Sequence, residues 1–199
     1  MRVGLLGGTF DPPHHGHVIC AQEARIQLGL DEVRLMPVGR PPHRAIEVRD
    51  DAGAQTRVSM CRLAVIGQPG LAVETAEINR EGPSFTVDTL EQLAADSPEH
   101  ALTLIVGADQ ALAFGDWRSP KRIGQLAEIA VAARGGEDYA AALDAVCRAT
   151  GGSQPIGFEM PRVDISSSMV RERVHRQQTV AHLVPAGIAE LIQEQGLFQ

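Results

Sequence analysis

His14 and His17 stand three residues apart where the pattern predicts a helix beginning near His15. At that spacing two imidazoles share one helix face. There they can donate N–H groups to phosphate oxygens and stabilise charge as it builds on them. Gly7, Gly8, Thr9 and Phe10 precede them, a glycine-rich turn whose amides, with the positive helix end, suit an anion. Gly16, between the histidines, has no Cβ, so a base or ribose can approach its backbone closely. Two plainer readings compete. The glycines and Pro12 can form an ordinary turn with the histidines capping a helix or lying at the surface. Alternatively, His14, His15 and His17 can gather a metal. A zinc site, however, brings cysteines at fixed spacing or an H-E-x-x-H helix, and the chain has neither, so no protein-held metal is expected.

A second group lies near the far end of the chain. Ser166, Ser167 and Ser168 precede a helical stretch that carries Arg171, and a serine run before a helix is an N-cap signal. With Ser168 as the cap, Arg171 falls at the third helical position. A capping box would put Glu or Gln there, and a cation there opposes the helix dipole. A polyanion held by free amides, serine hydroxyls and Arg171 together would account for it; a plain cap with a solvated arginine is the alternative. Between the two groups lie further candidates. Pro41 and Pro42 stiffen a loop that aims His43 and Arg44. A helix beginning near Thr86 offers the Phe85 and Thr86 amides to a carboxylate. Trp117, the single tryptophan, can stack on a flat ring, with Arg118 beside it. Asp109, after Gly107, can accept from ribose hydroxyls or cap the helix that follows.

The elements that must position these groups alternate. Strands are predicted at Val3–Leu6, Val33–Val38, Leu71–Ile78, Leu102–Val106 and Ile129–Ala133. Helices are predicted over Val18–Leu28, Thr56–Ile66 and Thr86–Ala95. Such alternation implies right-handed crossovers and a doubly wound, Rossmann-like α/β fold with a parallel sheet covered on both faces. Its ligands bind beyond the carboxyl ends of the strands. The candidate motifs fall there: Gly7–His17 after the first strand, Gly39–Arg44 after the second, Gly107–Asp109 after the fourth and Arg134 after the fifth. Past Gly151-Gly152 a short strand near Ile156–Glu159 and helices around Met169–His175 and Ala186–Gln195 read as a small C-terminal helical part, about 151–199. It would pack on a core of about 1–150 within a single domain. Residues 135–155 carry no motif.

Composition narrows the class. A chain of 199 residues suffices for one sizeable domain. Its net charge of −7 argues against nucleic acid or an acidic membrane as partner. Local basic residues still permit a small anionic substrate. Cys20, Cys61 and Cys147 are widely separated, with no C-x-x-C, and suit buried, reduced thiols in a cytoplasmic protein. The N-terminal apolar run is too short for a signal peptide, and no run approaches the ~20 apolar residues of a membrane span.

The motifs share one resemblance. Gly7–His17 reads G-G-T-F-D-P-P-H-H-G-H. It resembles the opening of the bacterial nicotinate mononucleotide adenylyltransferases, in the (H/T)-x-G-H nucleotidyltransferase superfamily. Ile165–Arg171 is similar to that superfamily's I-S-S-T-x-x-R, with Ser168 for Thr. Pro37–Arg44 is similar to P-x-x-x-P-P-H-K, with Arg44 for Lys. Pro83–Leu90 resembles P-S-[YF]-T-x-D-T-L, and Gly107–Asp109 with Trp117 resembles G-A-D…W. The closing Val184-Pro185 to Phe198 also resembles the family's end, although Leu191-Ile192 lacks its Tyr and Phe198 replaces its other aromatic. The resemblance implies a nucleotidyltransferase fold and transfer of AMP from ATP to nicotinate mononucleotide, giving deamido-NAD and pyrophosphate, with Mg²⁺ arriving on the ATP. It implies catalytic roles for His14, His17 and Arg171. ATP contacts would come from Gly7, Gly8, Thr9, Phe10, Gly16, Gly107, Asp109, Arg134, Ser166, Ser167 and Ser168. Acceptor contacts would come from Arg44, Thr86, Trp117 and Arg118. The same loops serve enzymes that use nicotinamide mononucleotide, phosphopantetheine or small alcohol phosphates. A non-catalytic nucleotide-binding module is the alternative outside the enzyme class. Oligomeric state is left open.

Overall fold

Apolar side chains alternate along the strands, so one sheet feeds two cores. A computed structural model describes residues 1–41, 52–133 and 139–199. In chain order the elements are β1 (Arg2–Gly8), α1 (His15–Gln27), β2 (Glu32–Pro37), α2 (Ala54–Val65), β3 (Leu71–Val73), α3 (Ala76–Asn79), α4 (Thr86–Asp96) and β4 (Ala101–Gly107). There follow α5 (Ala108–Leu112), a 3-10 turn (Phe114–Asp116), α6 (Pro120–Leu126), β5 (Glu128–Ala133), α7 (Tyr139–Thr150), β6 (Ile156–Glu159), α8 (Ser167–His175) and α9 (Ile188–Glu194).

Among the described residues, six strands form one sheet in the order β3-β2-β1-β4-β5-β6, and every pairing is parallel. The order reverses between β1 and β4, which pair Leu5 with Leu104 and Leu6 with Ile105. That reversal opens a crevice at the strands' carboxyl ends. Leu6, Ile105, Ala130 and Ala132 face one core, against Val18 and Ala21 of α1, Met60 and Cys61 of α2, Val170 of α8 and Ile188 of α9. Val3, Leu5, Leu104, Ile129 and Val131 face the other, against Leu90 of α4, Ile123 of α6 and Val146 of α7. The doubly wound architecture is the one the alternation implies.

Three local differences have physical causes. The third strand stops at Val73, well short of Ile78. The Glu74 carboxylate accepts from the Thr75 and Ala76 amides, which turns the chain into the single helical turn of α3. The strand at Ile156–Glu159 is the sixth strand of the main sheet, paired with β5, so the sheet runs past residue 150. Finally, α8 is capped by Ser166, whose side chain accepts from Met169 N at 3.1 Å. Ser168 is therefore inside the helix, and Arg171 lies beyond its first turn.

Candidate active site

The β1–α1 loop is built around the two histidines. Phe10 takes a left-handed backbone (φ 52°) and buries its ring edge-on beneath His17, with centroids 4.8 Å apart. His14 caps α1, and its ring stacks on His17 at 3.7 Å. The His14 backbone N–H donates to His17 Nδ1 at 3.1 Å. An Nδ1 that accepts leaves the neutral imidazole's proton on Nε2. His17 therefore presents an N–H donor on its far side, while His14 is almost fully buried behind it. Gly16 is itself buried. A Cβ there would lie 3.0 Å from His14 Nδ1, so the glycine makes room for the neighbouring imidazole. Phe10 likewise supports His17 from beneath.

The serine–arginine segment docks on this loop from 155 residues away. Ser167 Oγ donates to Pro12 O at 2.8 Å. Arg171 donates to Asp11 O at 2.7 Å and to Ser168 Oγ at 3.3 Å. These bonds bring the start of α8 against the histidine loop, with Ser166 and Ser168 exposed and Arg171 half-buried.

A cleft of about 290 Å³ opens at the sheet's reversal point, lined by Gly7, Gly8 and Thr9 on one side and by Thr86, Trp117 and Arg118 on the other. Its size is at the small end for ligand pockets. No side chain caps α4, so the amides of its first turn have no helical acceptor. Trp117 is held by stacking on Phe114 at 4.9 Å. The Arg118 guanidinium lies 4.5 Å over the Phe85 ring and 3.4 Å from Asp88, an exposed pair that contributes little to stability. Gly107 closes β4 beside this cleft, and Asp109 sits exposed in the first turn of α5. Arg44, His43 and Arg134 lie outside the described residues. Among the described residues, no group of three or more His, Cys, Asp or Glu could hold a metal ion, and no helix is long and apolar enough to cross a membrane.

Comparison with known proteins decides the family. The Cytidylyltransferase-like family model matches residues 5–173. The probable nicotinate-nucleotide adenylyltransferase of Dehalococcoides mccartyi is 40% identical over 200 residues, covering 100% of this chain and 97% of the relative. That of Exiguobacterium sibiricum is 35% identical over 198 residues, covering 100% and 99%. The chain belongs to the nicotinate-nucleotide adenylyltransferase family. A structure of the Plasmodium falciparum nicotinic acid mononucleotide adenylyltransferase complexed with NaAD shares the fold. It superposes with a TM-score of 0.77 at 13% identity, covering 99% of this chain and 97% of that one.

In this member of the adenylyltransferase family, two buried charged residues hold the site without appearing in any motif read from the sequence. Arg57 of α2 is 1% exposed and donates to Thr9 O at 3.3 Å, Val38 O at 2.5 Å and Gly39 O at 3.2 Å. It ties the loop after β1 to the loop after β2. Glu77 of α3 is buried against Thr89 and Ser84, and burial pushes its carboxyl pKa up, partly offset by hydrogen bonds from those two hydroxyls, by Arg80 and by the Gly39 amide. Arg57 stands in the first turn of α2, at a position that helical spacing alone does not distinguish from a solvated one. Glu77 falls inside the stretch that reads as strand.

Proposed function

We propose that this chain transfers the adenylyl group of ATP to nicotinate mononucleotide, releasing deamido-NAD and pyrophosphate. One observation carries the reading: a cleft at the sheet's reversal point has Gly7, Gly8 and Thr9, which lead into the histidine loop, on one wall, and Thr86, at a helix start that no side chain caps, with the Trp117 indole on the other. The acceptor's phosphate oxygen attacks the α-phosphorus in line. A new P–O bond forms there, and the bond to the β-phosphate oxygen breaks. That nucleophile is already ionised near neutral pH, so no general base is needed, and catalysis reduces to positioning and charge stabilisation. His17 would donate its Nε2 hydrogen to the triphosphate as charge builds, with His14 and Phe10 fixing its ring. Arg171, the Ser166 and Ser168 hydroxyls and the Ser167 amide would hold the leaving pyrophosphate, together with the amides of Gly7, Gly8 and Thr9. Mg²⁺ would arrive with ATP and need few ligands from the protein. Trp117 would stack on the pyridine ring. The Phe85 and Thr86 amides, with Arg118, would receive the carboxylate. Gly107, Asp109 and Arg134 would take the adenosine side, and Arg44 the acceptor phosphate. With Cys20, Cys61 and Cys147 all free thiols, the reducing cytoplasm is the compartment that suits this reading.

A pyrophosphate-release assay with Mg-ATP and a panel of acceptors tests the assignment. Release is expected with nicotinate mononucleotide, well above that with nicotinamide mononucleotide, phosphopantetheine or glycerol phosphate. ATP binding without release on any acceptor would favour a nucleotide-binding module instead.

A further inference from the structure

A buried carboxylate in the wall of a cleft meant for an acidic substrate calls for a reason. Glu77 sits in the four-residue helix α3 and lines the cleft beside Ser84, Phe85 and Thr86. Its partners come from two directions. Thr89 Oγ1, one turn into α4, lies 3.2 Å from Glu77 Oε1 and is in turn bonded by Arg80 at 2.8 Å. Ser84 Oγ accepts from the backbone amides of both Gly39 and Arg40 at 3.1 Å. With both its lone pairs engaged, the Ser84 hydroxyl has one hydrogen left to offer, and the Glu77 carboxyl, whose pKa Ser84 helps hold down against burial, is the charged acceptor beside it in the cleft wall. The Ser84 amide closes the circuit by donating to Arg40 O at 2.8 Å. Contact is tight enough that a Cβ on Gly39 would lie 2.2 Å from the Glu77 carbonyl oxygen, so only glycine fits there.

We infer that Glu77 is a positioning residue for the acceptor nucleotide: by holding Ser84 and Thr89 it clamps the Gly39–Arg40 turn to the first turn of α4, and so fixes the amides and the Phe85–Thr86 edge on which the acceptor lands. Glu77 does not touch the reacting atoms. It acts through Ser84, whose hydroxyl it orients, and through Thr89, which sets the start of the helix. The inference rests on the acceptor assignment above and adds to it the device that keeps the acceptor wall in shape. A carboxylate suits this place because an ionised carboxylate offers acceptors only to the two neighbouring hydroxyls, of which Thr89 also has the Phe85 carbonyl within reach at 3.3 Å. A glutamine of the same size meets one of them with an NH₂ group and leaves a buried hydroxyl mismatched.

Trp117 is the only tryptophan, so its fluorescence reports acceptor binding without turnover. Titration of the full chain with nicotinate mononucleotide, followed by steady-state kinetics, compares wild type with Glu77→Gln, Ser84→Ala and the double variant. Glu77→Gln is expected to weaken acceptor binding about tenfold, the scale of one buried hydrogen bond, while KM for ATP and kcat at saturation stay within about twofold. Ser84→Ala should reproduce the effect, and the double variant should add little to either single one. If Glu77→Gln does not fold, Ser84→Ala carries the same test. Acceptor binding unchanged in whichever variant folds, or equal losses for ATP and acceptor, would overturn the clamp. A wild type that does not bind nicotinate mononucleotide overturns the acceptor assignment itself, and the clamp with it.

Discussion

Replacing Arg57 with methionine tests whether the site's two loops are held from inside. The arginine is 1% exposed, and its guanidinium donates to three carbonyls: Thr9, Val38 and Gly39. Methionine keeps most of the volume and removes every donor. A hydrogen bond from a charged group is worth about 1.5–3 kcal/mol, and a buried polar group left unpaired costs about 1–3 kcal/mol. The bonds at 3.2 and 3.3 Å are weak, and removing the cation also removes its desolvation cost, so the three do not simply add. A net loss of about 2–4 kcal/mol is expected. With a urea slope of ~2 kcal/mol per M, the unfolding midpoint should fall by about 1–2 M. Arg57→Lys keeps the charge but lacks the planar fork that reaches three acceptors, and should fall between. Because Thr9 borders the histidine loop and Gly39 borders the acceptor wall, kcat/KM should drop for both substrates in the folded variant. A midpoint within about 0.2 M of wild type for Arg57→Met would refute the reasoning.

His17→Ala should lower kcat by ~10²-fold, the scale for one preorganised donor, with a normal unfolding curve; an unchanged kcat would remove His17 from the mechanism. Arg171→Ala should raise KM for ATP far more than KM for the acceptor, as separate titrations would show, whereas equal effects would point to its bonds with Asp11 and Ser168 alone. Burial pushes the Cys61 thiol up to about 12, against a lowering influence from Arg57. At pH 8 iodoacetamide should therefore modify the half-buried Cys147 well ahead of Cys61, as peptide mass mapping would reveal, and comparable rates would contradict the packing around Cys61.

Where local chemistry decides structure, the sequence is readable. The glycines that end β1, the helix start at Thr86 and the strand Ile156–Glu159 are each marked by residues within a few positions. Reading fails where the deciding contact is distant or ambiguous. Three adjacent serines offer equivalent caps for α8, and what distinguishes them is tertiary: Ser167 bonds to Pro12, leaving Ser166 to cap. Leu71–Ile78 has the composition of a strand, yet the Glu74 side chain captures two amides and ends it. Arg57 looks like a surface residue until carbonyls 18, 19 and 48 positions away surround it. Glu77 becomes part of the site only once Ser84 is bonded to the Gly39–Arg40 turn. The candidate site was thus legible in its loops and not in the buried polar groups that brace them.

With nicotinate mononucleotide as the proposed acceptor, the cleft must read the acid of the pyridine ring. The first turn of α4 presents N–H donors and a positive dipole end, which fit a carboxylate; an amide would turn its own NH₂ toward them. Leaving one buried polar group unpaired costs about 1–3 kcal/mol, a discrimination of about tenfold to a hundredfold. The direct measurement is competition between nicotinate and nicotinamide mononucleotides at equal concentration with limiting Mg-ATP, the two dinucleotide products being separated and counted. Deamido-NAD should exceed NAD by at least about tenfold, and equal amounts, or an excess of NAD, would contradict the account.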